Sequence, residues 1–130
     1  MENMGKLSTA KIRGLLIDDK TGKISVKDVA DDFRALQQVI DADFFDIARR
    51  KIGNKTYAII CDDEGLLKDR RITAINMGYS EDILVGSLFI CNELGPELAS
   101  LLDVDIRTIT QSIRYNAFDS SPILLIGDSK

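Results

Sequence analysis

The chain has 130 residues, of which 45% are hydrophobic and 29% charged, and it carries a net charge of −4 with no histidine. That length buries a self-sufficient core without metal or disulfide staples and reads as one domain over residues 1–130. No run reaches the roughly 18 apolar residues of a membrane helix, no basic stripe suits direct nucleic-acid binding, and the N-terminus lacks the apolar core of a secretory signal, so a cytoplasmic protein is expected.

Residues 1–10 are polar and unpatterned and read as a flexible tail. Lys11–Ile17 ends in an apolar run before the turn-forming DDKTGK, which predicts a first strand. From Ser25 the apolar residues Val26, Val29, Ala30, Phe33, Leu36 and Ile40 recur at spacings of three and four. That stripe predicts an amphipathic helix to about Asp41, with Ser25 and Asp28 as a capping pair and Asp31 and Asp32 near the positive end of the helix dipole.

Phe44–Arg50 and Thr56–Cys61 read as a hairpin around Gly53-Asn54, with a loop longer than the tight two-residue kind. The centre of the chain is Thr56–Asn92, where the apolar runs Tyr57–Cys61 and Ile83–Cys91 predict buried strands. Ile72–Met77 is a weaker strand candidate, Gly78–Asp82 reads as a loop, and Gly86 marks a bulge or a close backbone approach within the strand.

Beyond Asn92, Gly95-Pro96 and Leu98–Leu102 suggest a short helix, and Asp103 or Asp105 starts another through Ile106, Ile109 and Ile113. Pro122–Ile126 (PILLI) reads as a strand added at a sheet edge or as an apolar patch for a partner. The fold class expected is therefore α+β: a mostly antiparallel sheet with one amphipathic helix after the first strand and two short helices near the C-terminus, residues 115–130 forming an extension.

Chemistry is thinly represented. Cys61 and Cys91 lie in apolar runs and read as small buried hydrophobes. A zinc site lacks ligands, and the absence of histidine removes the usual acid–base group. The glycines are scattered singly, with no phosphate-cradling loop. The richest polar cluster is the loop Asp62, Asp63, Glu64, Lys68, Asp69, Arg70 and Arg71. It reads either as a charged turn with local ion pairs or as a contact loop on a rigid scaffold.

The run CDDEGLLKDRRITAIN, then DILVGSLFIC, then DVDI resembles a domain-of-unknown-function family, the one numbered 3846. Cys61-Asp62, Glu64-Gly65, Leu67 and Arg70 resemble its turn, and Asp82–Cys91 its strand, so the similarity spans roughly residues 11–113. Asp69 stands where an Asn precedes the family's Arg, Asp41-Ala42-Asp43 replaces a Gly pair, and Arg114–Lys130 has no counterpart. The resemblance implies a small accessory protein of phages, plasmids and other bacterial mobile elements, with no established activity.

The expected function is non-catalytic binding of a protein partner, without cofactor or metal, through the loop 62–71 and an exposed sheet edge. Two other readings come from different classes. One is an acidic decoy of a nucleic-acid-binding or defence protein. The other is a metal-dependent enzyme acting on a phosphorylated small molecule through Asp62, Asp63, Glu64 and Arg70.

Overall fold

The structure is a computed structural model and describes residues 10–79 and 82–128. The expected N-terminal tail, apart from Ala10, lies outside the described residues, as does part of the Gly78–Asp82 loop.

Strands dominate. In chain order the described residues form β1 (Lys11–Ile17), β2 (Ile24–Ala30), α1 (Phe33–Val39), β3 (Phe45–Ile52), β4 (Lys55–Asp62), β5 (Ile72–Asn76), β6 (Ile83–Val85), β7 (Leu88–Leu94), β8 (Glu97–Ala99), α2 (Asp103–Gln111), β9 (Ile113–Tyr115) and β10 (Pro122–Ile126). A six-stranded antiparallel sheet runs β2-β1-β7-β4-β3, with β8 paired to the far end of β7. A four-stranded sheet runs β6-β5-β10-β9, in which β10 lies parallel to β5.

The α+β expectation is therefore corrected to a largely β architecture of two sheets, with two helices among the described residues. The helix expected from Ser25 is the clearest case. Ser25, Val26, Val29 and Ala30 lie in β2, which pairs with all seven residues of β1 around the Asp18–Lys23 turn. Ile24, Val26 and Val29 are β-branched and suit a strand, with Ile24 and Val26 on one face and Val29 on the other, and the hairpin supplies hydrogen bonds at once. The helix starts only at Phe33, capped by Asp32, whose carboxylate accepts from the Ala35 amide at 2.8 Å.

The helix expected around Leu98 is the hairpin strand β8, turned by Gly95 at φ 62°. The helix expected from Asp103 is present as α2, but it ends at Gln111, and Ile113, expected in its apolar stripe, opens β9. The first turn of α2 is held by Asp105, whose carboxylate accepts from the Leu102 amide at 2.8 Å.

The 44–61 hairpin is present, but its loop is the tight pair Gly53-Asn54, with Gly53 at φ 66°. Ile83–Cys91 is two strands rather than one. At Gly86, φ 90°, the chain leaves β6 in the small sheet and enters β7 in the large one. The PILLI strand is internal, flanked by β5 and β9, and not an added edge.

The large sheet is buried on both faces, which is why β4 and β7 read as unbroken apolar runs. One face, with Leu15, Ile17, Ile59 and Ile90, packs against Ala74, Leu124 and Ile126 of the small sheet and Ile109 of α2. The other, with Ile12, Leu16, Ile60 and Phe89, is covered by Leu36 and Ile40 of α1 and its end. Cys61 and Cys91 are free and buried. Burial pushes both thiols up to about 12, so they stay protonated near neutral pH.

Candidate functional site

The loop 62–71 connects the large sheet to the small one. It leaves β4 at Asp62, makes a short 3₁₀ turn at Gly65–Leu67 and enters β5 after Arg71. Gly65 lets the turn sit on β6: a Cβ there would meet the Val85 carbonyl oxygen at 2.8 Å. Asp62 starts the turn by accepting the Glu64 amide at 2.9 Å.

The charged residues of this loop divide into two groups. Asp62 and Arg70 turn inward, with side chains 0% and 7% exposed. Arg70 grips the Asp19 carboxylate as a fork, through Nε at 3.0 Å and Nη2 at 2.8 Å. Nη1 donates to Asp62 at 2.9 Å and to the Asp41 carbonyl at 3.0 Å, and Nη2 also donates to the Ile40 carbonyl at 3.1 Å. All five guanidinium donors are therefore engaged. Lys68 adds a bond to Asp62 at 3.0 Å, and Ser87 donates to Asp19 at 2.9 Å.

One side chain thus ties together the β1–β2 turn, the C-terminal end of α1, the end of β4 and the start of β7. Gly86 makes room for it: a Cβ there would lie 3.1 Å from the Arg70 guanidinium. Burial alone would raise the Asp19 and Asp62 carboxyls. For Asp19, bonds from Arg70 and Ser87 reverse the direction and hold it below the ordinary value; for Asp62, bonds from the Glu64 amide, Lys68 and Arg70 do the same. The Asp19 carboxylate in turn raises Arg70 despite its burial. Two cations face two carboxylates, and the guanidinium retains no donor for a phosphate.

The remaining residues point outward. Asp63 and Asp69 are exposed, Glu64 is half-buried, and Arg71 pairs with Asp119 of the β9–β10 turn at 2.7 Å. The loop 62–71 is therefore split by the fold, with Asp62, Lys68 and Arg70 brought together and the other four kept apart. Among the described residues, no three cysteine or acidic side chains converge to hold a metal ion.

Sequence reasoning missed Asp19 and Ser87, because a turn aspartate and a lone serine carry no local mark of burial. It also gave Leu66 and Leu67 no part in the contact loop, Leu67 entering only through the family resemblance. They are the most prominent feature of the turn, 73% and 85% exposed. Beside them a recess of about 140 Å³ is lined by Cys61, Leu66 and Ile83–Val85. Lys68 and the end of α1 (Gln37, Gln38, Asp41 and Asp43) border a wider polar cleft of about 680 Å³.

Fold and site together define a small two-sheet β scaffold, cross-tied by one buried arginine and displaying an apolar pair on a fixed turn. Among the described residues no helix is long and apolar enough to cross a membrane. The chain belongs to the family described as Domain of unknown function (DUF3846), which matches residues 12–114. That span agrees with the resemblance carried by the loop and the β6–β7 run, and it ends inside β9, before the internal strand β10. No curated protein and no solved structure shows a significant match to the chain.

Proposed function

We propose that this is a non-catalytic accessory protein that binds a protein partner, of the kind borne by bacterial mobile elements, and that it does so in the cytoplasm through the turn 63–69 and an exposed sheet edge. The observation that carries the reading is the display of Leu66 and Leu67 on a turn whose base is fixed by Asp62, Lys68 and Arg70. Scattered exposed leucines are ordinary. Two in succession on a pre-ordered turn offer apolar contact with little loop entropy left to lose on association. Asp63 and Asp69, both exposed, flank them along the chain, a polar rim suited to a protein interface. The mobile-element context is what the sequence resemblance to this family implies.

The test is a tagged pull-down from nuclease-treated bacterial lysate, read by mass spectrometry at low and high salt. One dominant partner, retained at high salt and lost in the Leu66→Ser/Leu67→Ser variant, is the expected result. Capture unchanged by that variant, and by Asp63→Lys with Asp69→Lys, removes the turn from the interface. A salt-sensitive partner that handles nucleic acid supports the acidic decoy instead.

A further inference from the structure

Sheet edges are a second place where this fold leaves bonding capacity open, and the edges differ. β6 and β9 are three residues each. β3 exchanges backbone hydrogen bonds at Lys51 with Gly127. β2 is seven residues long, contains no proline, and keeps an unbroken register with β1. Edges of that kind are normally blunted by shortness, bulges, proline or charge, and of these β2 has only the charges of Lys27 and Asp28.

The hydrogen-bond phase of this edge follows from its ends. Asp18 donates to the Lys23 carbonyl and Asp31 to the Ala10 carbonyl. In an antiparallel ladder bonded pairs alternate, so Ser25, Lys27 and Val29 bond to β1 and the main-chain groups of Ile24, Val26 and Asp28 face away. Among the described residues nothing bonds to those outward groups.

Side chains along this edge are also selective. On the α1 face an open groove of about 450 Å³ is lined by Leu16, Val29, Ala35 and Val39, with Lys27 and Gln38 at its border. The Lys27 side chain has no ion pair or hydrogen bond among the described residues. On the opposite face Val26 is partly exposed beside the core-packed Ile24, and Asp28 follows it.

We propose that the β2 edge binds an extended segment of a partner protein as an added antiparallel strand, with an apolar residue opposite Val29, an acidic one opposite Lys27 and a β-branched one opposite Val26. Backbone pairing at Ile24, Val26 and Asp28 supplies affinity, and the alternate side chains supply selection. The antiparallel direction is the more stable ladder. The inference deepens the protein-binding reading above and rests on it, but it uses different residues from the Leu66-Leu67 turn.

The probe is a capped, fluorescein-labelled peptide, Thr-Val-Lys-Glu-Val-Thr-Val, titrated into the full chain and followed by anisotropy and by amide hydrogen exchange. Saturable binding is expected, with exchange at the Ile24, Val26 and Asp28 amides slowed at least about tenfold while Ser25, Lys27 and Val29 barely change. The same peptide N-methylated at alternate residues should not bind. Lys27→Glu should weaken binding several-fold, and a Lys-for-Glu peptide should recover it. Absence of binding, equal binding of the N-methylated peptide, or protection that rises with protein concentration without peptide overturns the proposal; the last result assigns the edge to a second copy of the chain. Leu66→Ser/Leu67→Ser should leave peptide binding intact. Peptide binding together with capture unchanged by Leu66→Ser/Leu67→Ser therefore defeats only the turn reading, and capture without peptide binding defeats only the edge.

Discussion

At the scale of single residues, the molecule depends on two buried polar centres built from turn and cap residues. Arg70 is the first. Replacing it with Met leaves Asp19 and Asp62 buried without their main partner, and stability should fall by about 3–5 kcal/mol in urea unfolding. Adding Asp19→Asn and Asp62→Asn to that variant should recover part of the loss, because the stranded charge goes with them. Asp105 is the second. It accepts from Tyr57, Lys55, Asn92 and the Leu102 amide, all within 3.0 Å. Burial pushes its carboxyl up, but those four bonds win and hold it at about 2, below the ordinary 3.8. A carboxyl lowered in the folded state stabilises it above the unfolded value and loses that contribution as pH falls through the folded value. Urea midpoints should therefore drop from about pH 4 towards pH 2, and Asp105→Asn should flatten that drop while costing about 1–3 kcal/mol at neutral pH.

Neither centre was visible in full beforehand. Arg70 and Asp62 stood out as part of a charged run, yet their burial depends on Asp19, far away in the chain. A charge run seen alone is a solvated face. Only the β1–β2 turn, brought in by sheet pairing, makes Arg70 a buried tie.

At the scale of elements, the runs with one consistent meaning were legible and the ambiguous ones were not. β1, β4 and the start of α2 carry patterns that no other element shares, and they lie where the apolar runs and the acidic helix start put them, while the weaker candidate at Ile72–Met77 is the strand β5. Residues 25–40 fit a helical stripe and a strand–turn–helix equally, and the choice falls to β1, which offers seven paired residues. The Ile83–Cys91 run was right in kind but wrong in continuity, because the break at Gly86 depends on the Arg70 guanidinium beside it. β10 gives the sharpest test at this scale. An added edge strand could be removed cheaply, whereas this one pairs on both sides and buries Leu124 and Ile126 against Ala74 and Ile113. A chain ending at Ser121 should show no cooperative thermal transition by circular dichroism. A transition close to that of the full chain would count against β10 as an internal strand.

At the scale of the whole molecule, the two sheets are interdependent. The chain passes between them at loop 62–71 and again at Gly86, and they share one face of the core. Composition and apolar runs were enough to anticipate a buried core, but not its division into two sheets, which rests on pairings between residues far apart in sequence. The parallel pairing of β5 with β10 sets an order of events during synthesis. β5 is made before β10, and the β1–β2 and β3–β4 hairpins have only near neighbours to find. Joining those hairpins waits for β7, whose Ile90 pairs with both Leu15 and Ile59. Once β7 has joined the two hairpins the large sheet is assembled with one apolar face open, while β5 waits for its second neighbour. Residues 122–126 act as the keystone: until they have been made, the growing chain presents Ile17, Ile59 and Ile90 to its surroundings, and a chaperone would find its grip there.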